Sequence, residues 1–498
     1  MAENTPQKNT PRLLDASHLR DYAIFTIGIG FVIILYHALS GGIASRPGLP
    51  QSPQRPAGLL QMIGGMPPAG QMGDIWPLWG QLVVPSISGV AIALVALVLF
   101  GVAIVTLRKR EYRLPSIPIL VTLGLVLLFL SNLVQGWSTG IVDTIGGGSE
   151  IYWDITKVVN PLAFISDFNS LQASLSLHAQ TQPPGAVLTI YLFSLIFQST
   201  ALIAIGLSVI AGVFSAFFIN GIYTRLFNRD SAKYGVFLYL LLPAIQVYYL
   251  ANIYAIVATL AVGALYFYLH PNRMVRVAGT FVTLFLGTFI SFLFIYMPLM
   301  LFLFELFTAW SSDPERSLVG RLKAFSSSLT TLVAACIGVV TLYGLLYLGL
   351  RFNYVEAFLY ASSLENPSGF MLLASPAQYI ATRSQDILDI VVFFGPVLSV
   401  LCYRGLKMLK ESSSIKPRVS QAYNLVAASL VSLLLLFLTG APKKGETARI
   451  CMFILPFLLI PVLFYLDEAA FSRAEKIKLL VLVFLQAVIM QLIGQWLW

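Results

Sequence analysis

Ser176-Leu-His178-Ala-Gln-Thr-Gln182-Pro-Pro-Gly185 leads almost directly into an apolar run from Val187 to Tyr223. How this junction is read decides the fold. A polar stretch carrying a histidine opens onto a run that exceeds the roughly 20 residues a bilayer-crossing helix needs. Proline fits the first turn of a helix, because its missing N–H has no intrahelical partner there. The Pro183-Pro184-Gly185 triplet therefore predicts a helix start. The run that follows is too long for one straight helix. It predicts one tilted span plus a short interfacial helix, or two short spans.

The same alternation of polar segment and apolar run extends over all 498 residues. Hydrophobic residues make up 57% of the chain and charged residues only 11%, with a mean hydropathy of +0.82. Soluble domains carry about 25% charged residues, so the composition predicts an all-α polytopic membrane protein with about 13 transmembrane helices. The expected spans are roughly 22–40, 82–107, 116–136, 187–215, 235–249, 251–269, 277–293, 295–311, 326–350, 386–403, 422–439, 450–466 and 477–497. No polar stretch is longer than a minimal domain of about 50 residues, so residues 1–498 are expected to form a single integral-membrane domain. Its longer outer loops are expected at about 41–81, 136–186, 351–385 and 440–449.

Charge fixes an expected orientation. With the N-terminus on the cytoplasmic side, 23 of the 31 Lys and Arg residues fall in inner segments and 8 in outer ones. Cytoplasmic loops carry this excess as a rule. The net charge of +9 is thus a topology signal, and nucleic acid is excluded as a partner. Met1 to Arg20 is polar and lacks a cleavable leader pattern, so the run from Tyr22 to Leu39 is expected to be a retained anchor. Cys336, Cys402 and Cys451 lie in or beside separate apolar runs, without the spacing of a disulfide framework or zinc site.

The outer segment Gly136 to Ala186 holds Asp143, Glu150, Asp154, Lys157, Asp167 and His178, the densest set of ionisable groups on that side. Acid–base chemistry needs titratable groups held together at a defined place. Asp154, beside Tyr152 and Trp153, is a candidate to deprotonate an acceptor hydroxyl while the rings pack a sugar or lipid. Interfacial aromatics and a helix-capping aspartate explain the same residues without chemistry. Asp143, at the end of a span, is the other candidate. His178 is placed to reach a phosphate or hydroxyl. Lys443-Lys444-Gly-Glu446-Thr-Ala-Arg449 puts cations outside against the topology preference. An anionic partner such as a lipid phosphate accounts for them, as does snorkelling to headgroups. Glu305 is an acid deep in an apolar run, where a buried hydrogen bond is expected. Val355, Phe358 and Leu359 recur at helical spacing, which predicts a helix lying at the interface.

Together these motifs resemble the GT-C class of integral-membrane glycosyltransferases, the polyprenyl-phosphate-sugar-dependent group that includes the protein O-mannosyltransferases and aminoarabinose transferases. The matching residues are Asp154 in an early outer loop and His178 with Thr181-Gln182-Pro183-Pro184-Gly185 opening the next span. The Leu242-Pro243 turn and the late basic loop Lys443 to Arg449 also match. The likeness covers roughly Gly136 to Pro461 in layout and short motifs in sequence. Gln182 stands where the family's His-Pro-Pro histidine would be, two extra spans precede the acidic loop where the family usually has one, and the paired acidic motif beside Asp154 is missing. The base thus lies open between Asp154 and Asp143.

The resemblance implies an inverting, hexosyl- or pentosyl-type transfer from a polyprenyl-phosphate donor to a glycan, lipid or protein acceptor. The reaction would take place on the outer face of the plasma (inner) membrane. Asp154 or Asp143 would be the general base. His178, Gln182, Lys443, Lys444, Glu446 and Arg449 would bind the donor phosphate or substrate, the cations stabilising the leaving group. No cofactor is demanded, although Asp154 and Glu150 are near enough in sequence to share a divalent metal. The competing classes are a transporter or flippase for lipid-linked sugars and an O-antigen-type polymerase or ligase. Ion-coupled transport usually needs ionisable groups inside the spans and broken helices in matching halves. The sequence offers little there beyond Glu305, and it shows no internal repeat.

Overall fold

Apolar sequence becomes helix almost throughout, because a backbone in lipid must satisfy its own hydrogen bonds. The computed structural model of the chain describes residues 11–40, 80–147, 151–311, 317–367, 369–413, 416–440 and 447–496. Among them, seven helices are long and apolar enough to cross a membrane: Ile87–Lys109, Thr200–Leu226, Arg273–Ile290, Phe292–Ser311, Thr330–Leu350, Pro417–Leu438 and Arg473–Ile493. The bent pair Pro376–Phe394 and Pro396–Ser412 raises this to eight if counted as one span, and Ile117–Leu133, Gly185–Ile196 and Ile253–Tyr268 are shorter apolar helices.

That count is below the expected thirteen, and helix breaks explain much of the difference. The region 235–249 divides at Leu242 into Arg229–Leu241 and Pro243–Tyr248. Proline cannot donate within a helix, so Pro243 starts a new one. The expected span 386–403 is the junction of two helices that meet at 100°. Gly395 there has φ +108, and a Cβ on it would meet Gln486 Oε1 at 2.9 Å, so the corner needs glycine. The long run after Pro183-Pro184 also divides, into Gly185–Ile196 and Thr200–Leu226. The second of these is capped by the Ser199 side chain, which accepts from Leu202 N–H.

The core is continuous from Leu13 to Trp496. Ile253–Tyr268 packs between Thr200–Leu226 and Arg273–Ile290, while Leu455–Glu468 packs against Pro396–Ser412. The N-terminal helix Ala16–Ser40 lies along Pro376–Phe394. The fold departs from purely helical at one place among the described residues. Gly80–Leu82 pairs antiparallel with Gly494–Trp496, joining the chain near its start to its end. The helix expected around Val355, Phe358 and Leu359 is present as Tyr354–Glu365, with those three side chains exposed. Glu305 accepts a 2.7 Å hydrogen bond from Tyr268 Oη, as a carboxylate in an apolar run requires.

Candidate functional site

The described residues between Gly136 and Ala186 form short helices and turns: Ser138–Val142, Asp143–Gly146, Ile151–Lys157, Pro161–Leu171, Gln172–Ser174 and Leu177–Gln180. Pro161–Leu171 is capped by Asn160, whose side chain accepts from Leu162 and Ala163 N–H. Asp154 fastens two of these turns together. Its carboxylate is 2% exposed and accepts from Ser176 N–H at 3.0 and 3.1 Å and from Ser176 Oγ at 2.5 Å. Lys157 Nζ lies 3.2 Å from Asp154 Oδ1 and also donates to the Ser174 carbonyl. These bonds anchor the start of Leu177–Gln180, the turn that carries His178.

His178, Gln182 and Arg449 line one cavity, together with Thr144, Tyr152, Asn252 and Tyr254. Its apolar walls come from Ile145, Ile151, Ile190, Ala251 and Ile253. The volume is about 40 Å³, room for a few waters, since one needs roughly 10–15 Å³ by this measure. Gln182 is 7% exposed and donates through Nε2 to Tyr254 Oη at 2.9 Å. Its Oε1 is buried without a hydrogen-bond partner. A buried orphan acceptor on a cavity wall is uncommon and calls for a donor. Asn252 caps Ile253–Tyr268 by accepting from Tyr254 N–H, which fixes Tyr254 at the rim. Gly185 allows the whole unit to seat closely, because a Cβ there would lie 2.2 Å from the Phe289 carbonyl oxygen.

Arg449 belongs to the short helix Thr447–Ile450 and is only 6% exposed. Two buried aspartates from Pro376–Phe394 hold that helix. Asp386 Oδ1 accepts from Thr447 Oγ1 at 2.6 Å, and Asp389 Oδ2 accepts from Ala448 N–H at 2.6 Å. Arg383 Nη2 lies 3.0 Å from Asp386 Oδ2, and its Nη1 donates to the Phe437 carbonyl at 2.6 Å. Two fully buried carboxylates and the Arg383 guanidinium thus sit directly behind the helix that carries Arg449. Buried charge of this kind needs opposite charge nearby.

No family model matches the chain, and no curated protein matches its sequence. Similar solved structures include the Archaeoglobus fulgidus oligosaccharyltransferase tethered to an acceptor peptide containing the NVT sequon. That likeness has 11% identity and a TM-score of 0.43, and covers 74% of this chain and 55% of that one. The same enzyme in its apo form gives 11% identity and a TM-score of 0.42, over 76% and 56% of the two chains. AglB from the same organism, in complex with an inhibitory peptide and a dolichol-phosphate, gives 11% and 0.41, over 75% and 56%. The chain spans little more than half the length of these structures.

The structure therefore brings together three of the residues singled out from sequence, His178, Gln182 and Arg449. Asp154 and Asp143 do not line the cavity. Asp154 is turned to Ser176 and Lys157. Asp143 is exposed and accepts from Ser138 Oγ at 3.1 Å, one residue before the cavity-lining Thr144. Lys443, Lys444 and Glu446 lie outside the described residues, as does Glu150. No three His, Cys, Asp or Glu side chains form a metal-binding group among the described residues. Sequence reading missed Asp386 and Asp389. They mark one correction, since the spans do hold ionisable groups beyond Glu305. A signal was present: two acids three residues apart at the edge of an expected span are costly in lipid and face protein.

Proposed function

We propose that the chain is a membrane glycosyltransferase that moves a sugar from a polyprenyl-phosphate donor to an acceptor at the outer face. The observation that carries the reading is the convergence of His178, Gln182 and Arg449 on one cavity, from segments nearly 270 residues apart. A largely buried guanidinium beside an imidazole suits a phosphate leaving group, because arginine meets phosphate oxygens with two parallel N–H donors. Lys443 and Lys444 precede Arg449 closely in sequence and add positive charge to that stretch of the chain. Gln182 Oε1 would accept from a sugar hydroxyl.

Asp143 is the better base of the two acids. It is exposed and precedes Thr144 on the cavity wall, whereas Asp154 is committed to Ser176 and Lys157. In this reading Asp143 takes the acceptor hydroxyl proton, the oxygen attacks the anomeric carbon, and the lipid phosphate leaves toward Arg449. Asp154 holds the His178 turn in place. The cavity is smaller than a sugar, so donor binding requires it to widen. The positive-inside pattern supports an inner-membrane protein with a cytoplasmic N-terminus and an outer-facing site.

The transporter reading gains the broken helix at Gly395 and the buried Asp386 and Asp389. Those carboxylates engage Thr447 and Ala448, which favours a scaffold over an ion path. Incubation of the purified protein with a panel of polyprenyl-phosphate sugars separates the two. Consumption of a donor in detergent, where no compartment exists, supports transfer. Movement of intact donor across proteoliposomes without consumption overturns it.

A further inference from the structure

Arg449 stands on a four-residue helix, Thr447–Ile450. So short a helix has almost no internal hydrogen bonding to define its position. Its direction must be set from outside, and two buried hydrogen bonds that contribute to it come from one neighbour, Pro376–Phe394. Asp386 and Asp389, three residues apart on Pro376–Phe394, face the same way as i and i+3 positions do. Asp386 takes the Thr447 hydroxyl and Asp389 takes the Ala448 backbone N–H, each at 2.6 Å. Thr447 and both aspartates are fully buried. Arg383, 3.0 Å from Asp386 Oδ2, holds the first carboxylate in turn. Phe393, on the same helix, packs its ring against Tyr248 at 4.7 Å and Trp496 at 5.0 Å, which anchors the helix in the core.

From this geometry we propose that Asp386 and Asp389 are positioning residues that aim Arg449 into the cavity, so that their contacts with Thr447 and Ala448 set how tightly a lipid phosphate is held. The inference rests on the reading of Arg449 as the donor-phosphate contact. Charge-assisted hydrogen bonds to a buried carboxylate are among the stronger ones in proteins. Losing one releases the helix from its seat, and a shift of about 1 Å at a binding group is costly. The carboxylates touch no substrate. Their effect passes entirely through Arg449.

The test is binding of a polyprenyl monophosphate to the full-length protein in detergent. The panel is wild type, Thr447→Val, Thr447→Ser, Asp389→Ala and Arg449→Ala, together with Thr447→Val and Asp389→Ala each combined with Arg449→Ala. Thr447→Val is nearly isosteric and removes only the hydroxyl donated to Asp386, so it carries the test on its own if Asp389→Ala fails to fold. Thr447→Ser restores the donor. Expected are an increase in Kd of about tenfold or more for Arg449→Ala and about tenfold for Thr447→Val and Asp389→Ala, the loss of one charged hydrogen bond. Thr447→Ser should bind as wild type does. In the Arg449→Ala background the other two substitutions should add nothing, since residues acting through one another are not additive.

If Arg449→Ala weakens binding while Thr447→Val and Asp389→Ala do not, the inference is overturned and the reading of Arg449 stands. Equal losses in both backgrounds also overturn it, because they mark a general packing role. An unchanged Kd for Arg449→Ala overturns the phosphate reading, and the positioning role falls with it.

Discussion

Asp154 accepts three hydrogen-bond contacts from a single residue, Ser176, two from its backbone N–H and one from its hydroxyl at 2.5 Å. A carboxylate used in this way is a clamp. It closes the Ile151–Lys157 turn onto the turn bearing His178, and it leaves Asp143 as the exposed acid nearest the cavity lining in sequence.

The two acids should therefore separate on mutation. Asp143→Asn is expected to lower kcat by roughly 10²–10⁴-fold, the usual worth of a general base, with an unchanged unfolding midpoint. Asp154→Ala is expected to destabilise by about 1–3 kcal/mol, because the Ser176 donors lose their buried acceptor. Thermal unfolding in detergent beside steady-state rates decides between them. A stable Asp154 variant with abolished turnover would return the base to Asp154.

Gln182 carries a buried acceptor with no partner. Gln182→Leu should leave stability nearly unchanged, since it removes an unsatisfied atom along with one hydrogen bond to Tyr254. Its kcat/KM should fall about tenfold, in line with one lost substrate hydrogen bond. A donor lacking the hydroxyl that Gln182 reads should show equal rates with the wild type and the variant.

Gly185 has no room for a side chain. Gly185→Ala places a methyl 2.2 Å from the Phe289 carbonyl oxygen in the starting geometry, so Gly185–Ile196 must move away from Arg273–Ile290. Overpacking of this kind costs about 1–3 kcal/mol. Because His178 and Gln182 precede this helix, the same change should raise the donor KM. A wild-type KM together with a wild-type unfolding midpoint would refute the close approach.

Glu305 tests the transport alternative. Its Oε1 accepts from Tyr268 at 2.7 Å, a bond that a glutamine oxygen also makes. Glu305→Gln should leave both donor turnover and the pH profile of turnover unchanged. A protein that couples proton movement to transport through this span would lose flux with the same substitution.

Much of the architecture is legible from residue order because lipid imposes it. Apolar runs must become helices, and Pro243 and the Pro183-Pro184 pair interrupt them where they occur. The clustering of Lys and Arg gives the expected sidedness in the same way. The candidate site is legible in part. His178 and Gln182 sit four residues apart beside a helix start, so local sequence links them. Arg449 was reachable as a cation out of place on the expected outer side. Asp386 and Asp389 were not read as part of any site, because their meaning depends on a partner 59 to 61 residues away.

What the amino-acid order by itself determined is the membrane class, the helical character, the division of the long run after Pro183-Pro184 and the choice of His178, Gln182 and Arg449 as residues with chemistry. Only the tertiary structure decided what those residues face. It turned Asp154 inward onto Ser176, brought Arg449 to the cavity of His178, and set two aspartates behind it. The reason is physical. Hydropathy and backbone hydrogen bonding act within a segment, whereas the direction of a side chain is fixed by packing and charge pairing between segments distant in sequence.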